Sequence, residues 1–249
     1  MTARYDEIGR SYVATRRPDP RIEAQIHRAL GDAASVVNVG AGTGSYEPQD
    51  RRVVAVEPSA TMIAQRAPDA APAVRGVAEA LPFADETFDA ALGTLTMHHW
   101  SDVAAGLREL RRVARRQVLM LFEPSFADAA WIVADYFPEM VEQETERNAP
   151  SVDDLARVLD VRHVEPVLVP ADCVDGFGGA YWNRPEAYLQ PEVQAGMSCF
   201  AQMDPEYLAR GMDRLRTELE NGQWDAKYGA LRALSETDLG YRLVIAGLA

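Results

Sequence analysis

The sequence predicts an α/β fold built on an open, mostly parallel sheet, and three observations carry that expectation. The first is the stretch from Ser35 to Pro58, SVVNVGAGTGSYEPQDRRVVAVEP, which reads as strand, glycine loop, short crossover and second strand. The second is Glu57, an acidic residue placed at the carboxyl end of that second strand. The third is a series of later apolar strand candidates, a fourth strand led into by Asp85 to Leu92 and ending near Thr94 to Met97, then Gln117 to Phe122, Val164 to Val169 and Gly240 to Gly247, with helical patterns between them.

Val36, Val37 and Val39 form a short β-branched run of the kind that makes a buried parallel strand. The run breaks at Gly40-Ala41-Gly42-Thr43-Gly44, where missing Cβ atoms let the chain turn sharply and let a ligand approach peptide groups. Val53 to Val56 is the next strand. In open α/β sheets ligands sit at the carboxyl ends of the strands, and an acidic residue after the second strand holds ribose hydroxyls. The expectation is a nucleoside-containing cofactor. A dinucleotide fingerprint would place its third glycine at position 45, which is Ser45, so the spacing is G-x-G-x-G rather than G-x-G-x-x-G.

Composition narrows the class. Of 249 residues, 47% are apolar, enough for a sizeable core, and the formal net charge is −13. Such a balance argues against a nonspecific nucleic-acid or anionic-membrane surface, which needs clustered Lys and Arg. Cys173 and Cys199 are too few for a disulfide scaffold and show no metal-ligand spacing. The N-terminus lacks an apolar signal core, and no apolar run approaches 18 residues, so a cytoplasmic protein is expected.

The remaining elements follow in order. Ile22, Ile26, Ala29 and Leu30 recur at helical spacing. Only eight residues separate Gly44 from Val53, so the first crossover helix must be very short or replaced by a turn near Glu47-Pro48. Ser59 is a candidate N-cap for a helix running to Arg66. Val103, Leu107, Leu110 and Val113 form the apolar side of a helix from Ser101 to Ala114. Its arginines read as a solvated face and a C-terminal dipole partner rather than a nucleic-acid patch. Trp131 to Met140 and Asp153 to Leu159 look helical. Tyr181, Trp182, Tyr188, Met197, Phe200, Met203 and Trp224 concentrate between Asp172 and Thr237, the span of an inserted helical cap.

These motifs together resemble the class I S-adenosylmethionine-dependent methyltransferases, of the small-molecule type similar to the ubiquinone and menaquinone biosynthesis enzymes. The resemblance covers Tyr5 to Pro124. It implies a Rossmann-like, seven-stranded, mostly parallel sheet with a helical cap inserted before the last strand. The core would span residues 1–170 and 238–249, and the cap residues 171–237. The implied cofactor is S-adenosyl-L-methionine, held by Tyr12, Arg16, Asn38, Gly40, Ala41, Gly42, Gly44, Glu57, Pro58, Met62, Ala78, Glu79 and Thr94. Tyr12 and Arg16, one helical turn apart, would form an arm over the cofactor, with Arg16 gripping its carboxylate. Two positions depart from the family pattern: Asn38 and Val77 stand where acidic residues are usual.

His98 and His99 fall at the carboxyl end of the fourth strand. Adjacent histidines point in different directions and make a poor metal pair, so no metal is expected. Either one orients or deprotonates the methyl acceptor, or both are structural. A small-molecule acceptor with an O, N or C nucleophile is expected, and the oligomeric state is left open. Thr94-Leu95-Thr96-Met97 occupies the place of the N-P-P-Y type motif, which argues against nucleobase amino-group or glutamine methylation. Two alternatives stand beside this reading: a nicotinamide-dependent oxidoreductase, and a noncatalytic binder of the same cofactor.

Overall fold

The computed structural model describes residues 16–143 and 147–248. Seven strands form one sheet: β1 Ser35–Val39, β2 Arg52–Glu57, β3 Ala73–Arg75, β4 Phe88–Thr94, β5 Ala114–Phe122, β6 Val161–Pro166 and, last in the chain, β9 Tyr241–Gly247. Their order across the sheet is β3-β2-β1-β4-β5-β9-β6. β1 pairs in parallel with both β2 and β4, and only β9 runs antiparallel, against β5 and β6. A separate two-stranded ribbon joins β7 Val169–Pro170 to β8 Glu236–Thr237.

β1 is buried along its whole length, as a continuous Val-rich run between two helical layers requires. Alternation along it feeds two cores. Val36 packs with Ile22, Ile26, Leu30, Leu92 and Met120 on one face, and Val37 and Val39 with Leu107, Leu110 and Leu119 on the other. Each such side chain contributes about 2 kcal/mol through burial. Helix α1, Pro20–Leu30, covers the first face; Asp19 caps it, accepting from the Arg21 N–H at 3.0 Å. Helix α2, Ala60–Ala64, starts at Ser59, whose hydroxyl accepts from the Met62 N–H. Helix α3, Val103–Val113, covers the second face and is capped by Asp102. Asp89 ties the heads of β1 and β4 together, since its Oδ2 accepts from the N–H groups of Ala34 and Ser35 and from the Ser35 hydroxyl.

No helix separates β1 from β2; the chain makes a turn there, as the short spacing required. The second half differs from expectation in three places. Residues 131–142 form a π turn and a 3-10 turn rather than an α-helix, because Pro138 has no N–H to continue the ladder. The strand expected over 164–169 lies at Val161–Pro166, with Val169–Pro170 as a second short piece. The helix expected over 153–159 is the single turn α4, Val152–Ala156, with a Ser151–Asp154 capping box.

Between β7 and β8 lie α5 Pro191–Gly196, α6 Ser198–Ala201, α7 Pro205–Glu220 and α8 Gln223–Tyr228. They share a third apolar core, with Tyr188, Phe200, Leu215 and Trp224 packed against Trp131, Tyr136, Phe137 and Met140. This helical layer therefore draws on two separate segments of the chain. Trp182 is the exception among the expected cap aromatics: it packs in the main core and donates its indole N–H to the Val169 carbonyl. Among the described residues no helix is long and apolar enough to cross a membrane.

Candidate cofactor and acceptor site

The loop after β1 turns on its glycines. Gly40, Gly42 and Gly44 have φ of 70°, 52° and 100°, a region that costs a residue with a Cβ about 1–2 kcal/mol. The N–H groups of Gly40 and Ala41 both donate to the Val56 carbonyl, at 2.9 and 3.1 Å, which pins the turn to the end of β2. A Cβ at Gly40 would lie 1.8 Å from Thr96 Oγ1. A Cβ at Gly42 would meet nothing nearer than the Met62 Cε, at 3.4 Å. Gly40 thus serves close packing, whereas Gly42 borders an open cradle with buried Met62 as its floor.

Glu57, 4% exposed, holds this loop to α2. Its Oε2 accepts from the Gly42 N–H at 2.8 Å and its Oε1 from the Ser59 N–H at 2.9 Å. A carboxylate has about four acceptor directions and can serve several donors at once. The Pro58 carbonyl accepts from Arg75 Nε at 3.1 Å.

Asn38 is 1% exposed. Its Nδ2 donates to Glu47 Oε1 at 3.0 Å, and its Oδ1 is a buried acceptor without a hydrogen bond among the described residues. Glu47 is buried too, and its Oε2 lies 2.6 Å from Arg66 Nη2. Arg66 also donates to the carbonyls of Gly42 and Ala71. A buried ion pair therefore braces the loop where a crossover helix would ordinarily stand. Such a pair needs surrounding hydrogen bonds to offset its desolvation, and these two carbonyls supply them. The sequence reading missed Arg66 and gave Glu47 only a turn. An acidic residue inside a crossover too short for a helix was the available signal.

Ala78 is buried against α3 beside Trp100. Glu79 Oε1 accepts from the Ser101 N–H and hydroxyl and from the Asp102 N–H, so Glu79 fastens the β3 loop to the start of α3. Thr94 ends β4 opposite Met120. Leu95, next along, sits at φ 50°, a strained conformation for a branched side chain.

Arg16 is anchored to a buried acid. Its Nε lies 2.6 Å from Oδ1 of Asp175, a fully buried carboxylate at the entry to the helical layer. The Tyr46 hydroxyl donates to Asp175 Oδ2 at 2.7 Å. Burial beside that carboxylate pushes the Tyr46 phenol well above its ordinary pKa. The end of the glycine loop, the N-terminal segment and the cap entry thus meet at one carboxylate. Tyr12 lies outside the described residues.

Beyond the carboxyl ends of β4 and β5 is a cavity of about 390 Å³. Its walls come from Leu95, Met97, Met120 and Phe122 on the sheet side and from Met140, Met197 and Phe200 on the helical side. Thr96, which packs over Gly40, also lines it and so joins the cradle to the cavity. The structure separates the two histidines. Their rings lie 3.9 Å apart, tilted by 53°, and His98 lines the cavity wall whereas His99 is not part of it. Cys199 lines the cavity as well. Cys173 is buried elsewhere, and burial pushes its thiol up to about 12. Among the described residues no cluster of His, Cys, Asp and Glu has the arrangement of a metal site.

The open room at Gly42, the buried acceptor of Asn38 and the carboxylate of Glu57 fit a nucleoside cofactor with a cationic amino-acid end. The comparisons agree. A family model for a methyltransferase domain matches residues 37–122, the span from β1 through β5. A structure from Anabaena variabilis, described as a methyltransferase from an antibiotic biosynthesis pathway, is 34% identical. The match covers 94% of this chain and 99% of that one, with a TM-score of 0.85. Geranyl diphosphate C-methyltransferase from Streptomyces coelicolor, solved with S-adenosyl-L-homocysteine, shares the fold at 15% identity and a TM-score of 0.53, over 92% of this chain and 80% of that one. Demethylmenaquinone methyltransferase from Mycolicibacterium vanbaalenii is 40% identical over 87 residues, 35% of each chain. The matched stretches span 20% to 37% of the lengths of the curated relatives. A likeness that runs the full length of the Anabaena protein, on a sheet with this strand order and this glycine cradle, has one meaning: the chain belongs to the class I S-adenosylmethionine-dependent methyltransferases.

Proposed function

We propose that the chain methylates a small, largely apolar acceptor held between the ends of β4 and β5 and the helical layer. The observation that carries this is the cavity beside the cradle, with Thr96 common to both and His98 on its wall. Bound S-adenosylmethionine supplies an electrophilic methyl group. The residues' own work is positioning and exclusion of water, which convert an encounter into a near-attack geometry. Gly40, Ala41, Gly42 and Gly44 shape the cradle, with Met62 beneath it. Glu57 takes the ribose hydroxyls while keeping its two backbone contacts. Asn38 offers its Oδ1 to the ammonium group, and Arg16, steadied by Asp175, faces the carboxylate. Pro58, Ala78 and Thr94 complete the walls, and Glu79 acts through the loop that it fastens. His98, rather than His99, orients the acceptor or takes its proton.

The proposal includes a division of labour between a cofactor-binding core, residues 1–170 and 238–249, and a cap, residues 171–237, that shapes the acceptor pocket. Residues 131–142 belong functionally with the cap, because their side chains share its core. It also includes a cytoplasmic setting and a free small molecule, not nucleic acid, as acceptor, in keeping with the net charge of −13.

Calorimetric titration of S-adenosylmethionine, S-adenosylhomocysteine and NADH tests the cofactor assignment. Micromolar binding of the first two, on the order of −8 kcal/mol, and none of NADH is expected. The reverse order would overturn it in favour of an oxidoreductase. Cofactor binding with no methyl transfer to any member of a broad acceptor panel would favour the noncatalytic reading.

A further inference from the structure

The cavity wall is unlike the rest of the molecule in charge. Asp and Glu account for 38 of 249 residues, so a lining of this size drawn without bias would include several. Among the described residues that line the cavity there are none, whereas Arg16, Arg147 and His98 are all present. Arg16 is matched by the buried carboxylate of Asp175. Arg147 is exposed and makes no ion pair among the described residues. The remaining wall is mostly Met, Phe, Leu, Ile, Val and Ala, with Thr96, Ser198, Cys199 and Tyr241 as its hydroxyl and thiol groups and glycine and proline between them.

Resting on the methyltransferase reading, we propose that the acceptor is an apolar acid, a hydrocarbon or aryl body of modest size carrying one anionic group toward Arg147. An amine would arrive protonated, because an alkylammonium titrates near pH 10. It would have to shed water in an apolar cavity, face the Arg147 guanidinium and find no carboxylate among the described residues of the wall. An acid meets the opposite field. Its anion gains a charge-assisted contact at the guanidinium, and its body fills the methionine-rich wall, whose flexible side chains adapt to differing shapes. Where that anion is itself the methylated group it has already lost its proton, and His98 then keeps only an orienting role.

Octanoate, octanol and octylamine, equal in chain length and different in charge, discriminate the alternatives. Their affinities for the full chain are measured by calorimetry with and without S-adenosylhomocysteine. Two variants accompany the wild type: Arg147→Ala at an exposed site, and Ser198→Asp, which adds the missing carboxylate at a half-buried polar position on the wall. Thermal melts verify that both are folded. Octanoate is expected to bind about tenfold more tightly than octylamine. Arg147→Ala is expected to weaken octanoate about threefold, the scale of an exposed ion pair, and to leave octanol unchanged. Ser198→Asp should weaken octanoate and strengthen octylamine. Octylamine binding as well as or better than octanoate, or no response of octanoate to either variant, would overturn the proposal. Absence of S-adenosylhomocysteine binding would overturn the methyltransferase reading instead, and the ranking of the three probes would still decide the preference of the cavity.

Discussion

At the scale of single residues, the two glycines that flank Ala41 make opposite demands, and substitution separates them. Gly42→Ala places a methyl group in the cradle and meets only Met62 Cε at 3.4 Å. Its cost to stability should stay near the conformational penalty of about 1–2 kcal/mol, while S-adenosylhomocysteine affinity falls by about tenfold or more. Gly40→Ala drives the methyl into Thr96 Oγ1, so the melting temperature should drop further than for Gly42→Ala. Paired melts and titrations check both. A second expectation concerns Asn38. Restoring an acidic residue there, Asn38→Asp, would set a carboxylate against Glu47 Oε1, now 3.0 Å from the Asn38 amide nitrogen. Urea unfolding at neutral pH should show a loss of about 3 kcal/mol, the scale of an uncompensated buried charge. The loss should shrink as the pH is lowered, because a proton on either carboxylate removes the repulsion. The positive-φ glycines were legible in the sequence because that backbone region admits few other residues. The partners of Asn38 were not, because the Glu47–Arg66 pair depends on how the connection over residues 40–51 folds back beneath β1.

At the scale of elements, strands and caps were the legible part. β1, β2, β4 and β5 announce themselves as apolar runs, and Ser59 caps its helix through a local chemistry that needs no tertiary information. The helical layer was legible only as an aromatic-rich region. Its core depends on Trp131, Phe137 and Met140 from a segment more than forty residues upstream of Tyr188 and Phe200, and periodicity within one stretch carries no record of such a meeting. Gly211 shows the consequence. It lies in α7, where alanine is intrinsically favoured by about 1 kcal/mol, yet a Cβ there would sit 2.2 Å from Phe137 Cε1. Gly211→Ala should therefore destabilise the protein by about 1–3 kcal/mol, as overpacked cores do. A shift of the urea midpoint to higher concentration would show instead that Phe137 can move aside.

At the scale of the whole molecule, acidic groups outnumber basic ones, and several carboxylates are held in working positions. Asp19, like Asp175, is fully buried. Burial opposes its ionisation, but hydrogen bonds from Arg21 and from the Val174 N–H outweigh that and hold its carboxyl below the usual range. A depressed folded-state value means that its stabilisation is complete above the ordinary aspartate range, near pH 4, and is lost as pH falls through the lower folded value. Asp19 joins α1 to the cap entry through Arg21 and Val174. Acid unfolding of the wild type should thus steepen below about pH 4, and Asp19→Asn should flatten that limb while lowering stability at neutral pH. An unchanged acid limb in the variant would show that other carboxylates govern it. The overall charge was plain from composition. That the described residues of one wall include no acid was not, since they are scattered from Arg16 to Tyr241 and only the fold assembles them.

The position of β9 has a consequence for how the molecule comes into being. Tyr241–Gly247 fills the slot between β5 and β6, yet a growing chain delivers it only after the whole helical layer has been made. Until then β5 is an open sheet edge with unpaired peptide groups and β6 lacks the strand it pairs with, the kind of surface that recruits foreign strands. The helical layer, with its own apolar core, can condense while that slot waits, and closing it joins residues more than a hundred positions apart, a slow step by its topology. During synthesis the acceptor cavity, which needs Leu239 and Tyr241 on its wall, is among the last features to exist. A nascent chain arrested before β9 would be vulnerable to aggregation and chaperone capture, and would carry a complete glycine cradle with an unfinished pocket beside it.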